Sequence, residues 1–398
     1  MRRTGNASLL RRVNRSAVLE LLRTAGPLPR AEIARRLQLS APTITRIAAA
    51  LLEDGLVLER ETIDSTGGRP ATLLQFNPRA SLVIGIYIGQ SIVGALADLS
   101  GEIIRRHSAP ALPGRDGITQ VVKVIEALRR NAVEMAIPVR GVGVGAPSIV
   151  TYPEGIVVWS PSLGWRNVPL QQMLQQALDL PVFVENEVNL IALGERWQGA
   201  GRGIENMICI SLGDGIGAGL VLNGRLYRGS HSASGEVGYL IPGQQFLGRV
   251  YDTYGCLEGL AGSSGIVRRA QARLAAGEPS MLANAANGTG ASLSVDMVLA
   301  AARQNDALAR AVLQETIDYL SIAVANLACI LDPDRIVVSG DLAAYGELFI
   351  DALCARLQGL VPNIPPLVLS ELQMDAPVLG AVATVLSETS TALFVRPN

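Results

Sequence analysis

Three short segments carry the side chains that could do chemistry. The first is Glu185-Asn186-Glu187-Val188-Asn189. The second is the glycine-rich run Gly213-Asp214-Gly215-Ile216-Gly217-Ala218-Gly219, and the third is Gly235-Glu236-Val237-Gly238-Tyr239. Carboxylates and a carboxamide set among tight glycine turns suit a polyhydroxylated ligand, because each hydroxyl wants both a hydrogen-bond donor and an acceptor. Such a site either performs chemistry on the hydroxyls or only holds and senses them.

The elements that must position these segments follow from the surrounding pattern. Val182-Phe183-Val184 reads as a strand that delivers Glu185–Asn189, and a helix follows to about Gly199. Met207–Leu212 is a strand entering the glycine run, and Gly219–Leu222 pairs back after it. Upstream, Ser81–Ile88, Ile92–Asp98 and Glu102-Ile103-Ile104 form a meander, followed by a helix over Ile118–Met135, a buried strand at Gly141–Gly145 and a strand at Gly155–Trp159. Ser160–Trp165 reads as a loop and Val168–Leu178 as a helix. Downstream, helices are expected over Leu257–Ala275, Val295–Arg303 and Leu308–Leu331, then a strand Arg335–Ser339 entering Gly340-Asp341, and a closing helix over 375–388. Strands and helices alternate, with a strand-first meander in each half, which argues an α/β protein of two similar lobes with a cleft between them.

A different pattern precedes Asn77-Pro78. Three short helices fit Arg15–Thr24, Pro29–Leu37 and a third capped by Ser40 with Pro42 in its first turn. Ile44, Ile47, Leu51 and Leu52 place one apolar face inward on the third helix, which leaves Ala41, Pro42, Thr43, Thr45 and Arg46 outward at its N-terminal end. The strands Leu56–Arg60 and Thr72–Phe76 flank a Gly67-Gly68-Arg69-Pro70 turn. Three helices followed by a hairpin is the winged helix-turn-helix pattern, in which the third helix reads the major groove of DNA and Arg69 on the wing enters the minor groove.

Charge supports the division. Residues 1–79 hold 13 basic and 7 acidic side chains, a net of +6, whereas the remainder holds 21 and 28, a net of −7. A basic head on an acidic body points to a nucleic-acid partner for the head. The chain of 398 residues is long enough for two or three domains. Although 49% of it is hydrophobic, no run approaches the roughly 18 uninterrupted apolar residues of a membrane span. Arg2 and Arg3 are followed by polar Asn6 and Ser8 rather than by the apolar core of a secretory signal. Cys209, Cys256, Cys329 and Cys354 are scattered and form no CxxC pair, so no disulfide framework is implied and a cytoplasmic setting is expected.

With these motifs in order, the chain resembles the ROK family of repressors, open reading frames and kinases over nearly its whole length. The resemblance runs through the Gly67-Gly68-Arg69-Pro70 wing, Glu185–Asn189, Gly213–Gly219, Gly235-Glu236-Val237-Gly238 and Gly255-Cys256-Leu257-Glu258. It implies an actin/hexokinase-like (ribonuclease H-like) two-lobed fold that binds a sugar in its cleft, with the winged helix marking a sugar-responsive regulator. Asn186, Glu187, Glu236 and Glu258 match family positions that hydrogen-bond the sugar. Ser162 stands where the family has a sugar-contacting Asn, and Tyr239 stands where it has a zinc-binding His that also touches sugar. Two of the zinc-binding Cys positions are Arg249 and Tyr251, and Cys256 alone cannot hold tetrahedral zinc, so no metal is expected.

Family kinases carry an Asp-x-Gly-Gly-Thr phosphate loop, and the matching segment here is Tyr87-Ile88-Gly89-Gln90-Ser91. Their catalytic Asp is Glu187 here, whose extra methylene displaces the carboxylate by about an ångström, a misplacement that can cost about a hundredfold. The expectation is therefore a DNA-binding regulator, a repressor that senses a monosaccharide or derivative, works as a homodimer, needs no cofactor and lacks kinase activity. Two alternatives stand beside it: an ATP-dependent sugar kinase with an accessory DNA-binding domain, and a DNA-binding protein whose second part is only an oligomerisation scaffold. The expected domains are a head at 1–79, a first lobe at 80–190 completed by 375–398, and a second, dimerising lobe at 191–374.

Overall fold

The computed structural model describes residues 7–61, 72–147, 149–249, 255–283 and 292–389. Its N-terminal unit holds helices α1 (Ala7–Ala25), α2 (Arg30–Leu37) and α3 (Ala41–Glu53). These stand beside a three-stranded sheet in the order β1 (Leu28–Pro29), β3 (Thr72–Phe76), β2 (Val57–Glu61). Helix α3 starts as its sequence predicts: Ser40 is extended, its hydroxyl accepts from the Thr43 N–H at 3.4 Å, and Pro42 lies in the first turn. Ile44, Ile47, Ala48 and Leu51 are buried against Val18, Leu19 and Leu22 of α1 and Ile33 of α2. Each buried Leu, Ile or Val among them contributes about 1.5–3 kcal/mol. Helix α1 begins at Ala7, well before the expected Arg15.

The rest of the chain builds two five-stranded sheets with one topology. The first reads β6 (Ile103–Pro110), β5 (Ser91–Asp98), β4 (Leu82–Ile88), β7 (Val139–Ala146), β11 (Val182–Asn186). The second reads β14 (Arg225–Tyr227), β13 (Ile216–Leu222), β12 (Met207–Leu212), β15 (Arg335–Ser339), β16 (Leu367–Leu369). In each, three strands form an antiparallel meander and two more add in parallel. Strand β4 shows why it is central. Its sequence Leu-Val-Ile-Gly-Ile-Tyr-Ile is buried almost throughout, as a strand covered on both faces must be. One face, Ile84, Ile86 and Ile88, meets Val121, Val124 and Leu128 of α4 (Gly114–Glu134). A small sheet of β8 (Val150–Thr151), β9 (Ile156–Ser160) and β10 (Trp165–Val168), followed by α5 (Leu170–Leu178), completes this lobe.

Helices α7 (Cys256–Ala261), α8 (Ser263–Ala275), α9 (Val295–Arg303), α10 (Ala307–Leu331) and α11 (Gly346–Leu357) belong to the second lobe. They pack with its sheet in one apolar core that includes Ile208, Ile210, Leu299, Leu320 and Phe349. Helices α6 (Glu187–Gln198) and α12 (Ala376–Glu388) cross at backbone contact. A Cβ on Gly194 would lie 2.2 Å from the Ala376 carbonyl oxygen, and one on Gly380 1.8 Å from that of Leu190, so only glycine permits the crossing. The C-terminal end of α12 does more. Val382, Val385 and Leu386 join Val83, Ala97 and Leu99 in the same buried cluster that holds the cores of α1, α2 and α3.

Several expectations are corrected. The helix anticipated over Leu257–Ala275 is two helices, because Gly262 is extended and Ser263 N–H turns away to donate to the Gly213 carbonyl at 2.9 Å. Trp165 does not end a loop but opens β10, where its buried indole donates to the Gly114 carbonyl at 2.8 Å. The helix expected from Val168 starts at Leu170. Strand β16 and helix α11 were not anticipated; β16 is only three residues long and follows the proline-broken Val361–Pro366. Among the described residues no helix is long and apolar enough to cross a membrane.

Candidate functional site

A cleft of about 960 Å³ lies between the lobes. The N-terminus of α6 brings Asn186 and Glu187 to it, and the turn between β4 and β5 brings Gln90 beside Tyr87 at the end of β4. Ser162 comes from the β9–β10 connection and Asp214 from the β12–β13 turn. Glu236 and Tyr239 come from the short turn at Val237–Tyr239, Glu258 from α7, and Asp341 from the residue pair that follows β15. All six expected sugar contacts, Ser162, Asn186, Glu187, Glu236, Tyr239 and Glu258, thus line one cavity although they are spread across the sequence.

Local hydrogen bonding defines what each can offer. Asn186 caps α6: its Oδ1 accepts from the N–H groups of Val188 at 2.8 Å and Asn189 at 3.1 Å. Its side-chain carbonyl oxygen is thereby committed to the helix N-terminus. Glu185 stands behind it, buried, with Oε1 accepting from the Asn186 N–H at 2.9 Å and Asn189 Nδ2 at 3.0 Å. Glu185 Oε2 accepts from Arg228 Nε at 2.7 Å, and that guanidinium lies 3.8 Å over the Tyr152 ring. Tyr152 in turn donates to Glu388 at the end of α12 at 2.7 Å. Arg228 follows the second-lobe strand β14, so this chain of contacts ties the two lobes beside the cleft.

Across the cleft, Glu258 Oε2 accepts from the Ile216 N–H at 2.9 Å and braces the glycine turn. Gly235 (φ +84°) must be glycine, since a Cβ there would lie 1.8 Å from the Ala218 carbonyl oxygen. This tight passage carries Glu236 into the site. Burial raises the pKa of Glu236, with the nearby Glu258 carboxylate adding to the effect. Burial likewise raises Glu258, more than the Ile216 hydrogen bond lowers it, and Asp214 adds to the rise. Asp341 is raised by burial, then by Asp214 and Asp296. Tyr239 is half exposed at the rim and is raised by burial and by Glu236 and Glu258.

Tyr87 and Glu187 decide the chemistry. The phenol lies against Gly89, with Oη 2.6 Å from where a Cβ on that residue would sit, and it is near enough to the Glu187 carboxylate for each to shift the other's pKa. Burial pushes Glu187 up to about 7; the Tyr87 hydrogen bond opposes the rise and Asp341 adds to it. Burial and the same carboxylate raise the Tyr87 phenol. A tyrosyl side chain therefore packs over the β4–β5 turn, next to the Glu187 carboxylate.

The expected DNA-reading residues lie in the head. Ala41, Pro42, Thr45 and Arg46 are exposed and Thr43 is partly so. The Thr43 hydroxyl is 2.8 Å from that of Ser40, and Thr45 Oγ1 donates to the Ala41 carbonyl at 3.0 Å. Arg69 lies outside the described residues, as does Tyr251. Among the described residues no group of His, Cys, Asp or Glu side chains is arranged to hold a metal ion.

Sequence reasoning named Asp214 and Asp341 without giving either a role, and it left Trp159, Ser211 and Met374 of the lining unread. The position of Asp341 did carry a signal: it follows the C-terminal end of a parallel strand, where ligands of open α/β sheets bind.

Comparison with known proteins matches residues 83–388 to the ROK family and residues 13–62 to the MarR family. The chain is 29% identical over 397 residues to a xylose repressor of Caldicellulosiruptor bescii, covering 96% of this chain and 98% of that one. It is 33% identical over 273 residues to a glucokinase of Halalkalibacterium halodurans, covering 67% of this chain and 82% of that one. Among solved structures, a ROK family transcriptional regulator described as a homologue of the Escherichia coli MLC protein superposes with a TM-score of 0.84 at 27% identity, covering 96% of this chain and 98% of that one.

Proposed function

The chain belongs to the ROK family, and from that premise we propose that it is a DNA-binding transcriptional repressor whose two-lobed domain binds a monosaccharide or derivative as effector and does not phosphorylate it. The observation that carries the second half is the Tyr87 side chain, which lies on Gly89 beside the Glu187 carboxylate. A phosphoryl-transfer site needs an open turn for the phosphates and an unencumbered base. The first half is supported by the exposed N-terminal end of α3, the basic head, and the near-complete coverage of a curated xylose repressor.

The roles assigned are sugar hydrogen bonding to Ser162, Asn186, Glu187, Glu236, Tyr239 and Glu258, and DNA contact to Ala41, Pro42, Thr43, Thr45, Arg46 and Arg69. The units are a head at 1–79, a first lobe at 80–190 closed by 375–398, and a second lobe at 191–374 through which two chains associate in the cytoplasm. Helix α10 supports that association, since it leaves Ile322, Cys329 and Ile330 exposed. Sugar draws the lobes together around the cleft, α12 carries the change to the head, and two heads in a dimer lose the spacing of their half-sites.

The test takes genomic fragments enriched by the full chain and measures their affinity by fluorescence anisotropy against free sugars. A bound sugar that shifts DNA affinity tenfold or more supports the reading. A sugar that binds without any effect on DNA refutes it. One observation favours the kinase alternative: a carboxylate, Glu187, is retained at the base position in a relative of a glucokinase. Sugar-dependent release of ADP from ATP would establish it.

A further inference from the structure

We infer that the effector is an uncharged, unphosphorylated sugar, and that its terminal phosphate ester is rejected by the cleft. This rests on the sugar-binding reading above and narrows its ligand class. The described lining contains five carboxylates, Glu187, Asp214, Glu236, Glu258 and Asp341, and no Lys, Arg or His. Together they make one wall of the cleft acidic. Glu236 feels Glu258, Glu258 feels Asp214, Asp214 acts on Asp341, and Asp341 acts on Glu187. Among the described residues no group of His, Cys, Asp or Glu side chains is arranged to hold a metal ion.

A second, independent feature is the state of the glycine turn. Turns of this type bind phosphate by aiming free backbone N–H groups at it. Here the Gly213 N–H donates to the Gly215 carbonyl at 3.0 Å, and the Ile216 N–H donates to Glu258 at 2.9 Å. Asp341 Oδ2 stands 3.6 Å from where a Cβ on Gly213 would sit, so a carboxylate lies against the turn. Arg228, next to the site, is already held by Glu185 and stacked on Tyr152. A phosphate dianion brings only acceptors and negative charge to a surface that offers mostly acceptors and negative charge. A free sugar brings a hydroxyl donor for each carboxylate.

The experiment is isothermal titration of the full-length chain at pH 8. The panel is free aldoses, ketoses and N-acetylated hexosamines, each paired with its terminal phosphate ester: glucose with glucose 6-phosphate, xylose with xylose 5-phosphate, and so on. The expected result is a free sugar that binds and an ester that binds at least about a hundredfold more weakly, which corresponds to about 2.7 kcal/mol. Replacing both Asp214→Asn and Asp341→Asn narrows that ratio by about tenfold or more. An ester that binds as well as its parent sugar overturns the inference and leaves sugar sensing standing. A ratio unchanged in the double variant overturns the assignment to the carboxylate wall. No binding by any member of the panel overturns the inference together with the sugar-sensing reading.

Discussion

Glu187 should make the protein's stability depend on pH, and one substitution isolates its share. Its folded-state pKa is about 7 against an ordinary 4.5. The folded state therefore holds this proton between those values while the unfolded state has released it. Stability from this group is complete below pH 4.5, falls as pH rises, and is lost once pH passes about 7. At 1.36 kcal/mol per unit, the loss comes to about 3 kcal/mol at pH 8. Glu187→Gln keeps the shape of the protonated acid and cannot ionise, so it removes the loss. Taking about 2.1 cal/mol/K per residue over the 398 residues that unfold together, the gain is a rise in Tm of about 4 °C at pH 8.

The assay is calorimetric unfolding of wild type and Glu187→Gln at half-unit steps from pH 4.5 to 8.5. Raised carboxylates at Glu236, Glu258 and Asp341 also contribute to the wild-type slope. The difference between the two proteins cancels them. A difference that grows from pH 5 to 7 and then levels off is expected. Parallel curves across the whole range would refute the reasoning, because they would mean that Glu187 is solvated like a surface carboxylate.

Four further outcomes are expected. Tyr87→Phe removes a donor that lowers the Glu187 pKa, so the levelling of the same difference curve, measured against Tyr87→Phe/Glu187→Gln, moves above pH 7. Arg46→Ala leaves Tm unchanged because the side chain is exposed, weakens DNA binding, and makes the plot of log affinity against log salt shallower by about one, the signature of one lost phosphate contact. Ser40→Ala deletes the cap of α3, costs about 1 kcal/mol by chemical denaturation, and weakens DNA binding by disordering the first turn. Leu386→Ala costs about 2–5 kcal/mol and splits a single unfolding transition into two, with the head melting first.

The head was legible because its information is local. The cap at Ser40, the proline after it and the spacing of Ile44, Ile47 and Leu51 are all set within one helix, and the structure places them accordingly. Glu187, Glu236 and Glu258 were legible as members of motifs, and the cleft brings them together. What lay hidden depends on elements meeting from far apart. The sequence marked Tyr87 only as the wrong residue for a phosphate loop. It lies beside Glu187 because the end of β4 and the start of α6 both reach the cleft. The proximity of Asp214 to Asp341 arises because β12 pairs in parallel with β15, whose sequences lie more than a hundred residues apart. Helix α11 offered little contrast between faces, since Phe349, Leu353 and Leu357 are interleaved with Leu348, Ile350 and Ala352, which are themselves partly packed.

The apolar cluster shared by α1, α3 and α12 makes the head a welded part rather than a pendant one. Cutting the chain at Asn77 would not release a finished sugar-binding body. Ala97, Leu99 and Leu386 would lose apolar neighbours that they share with the head in one buried cluster, and an exposed apolar patch there would drive self-association. A body that lives alone must carry polar side chains at those positions. Replacing Leu99 and Leu386 with polar residues is therefore the route to a soluble headless form.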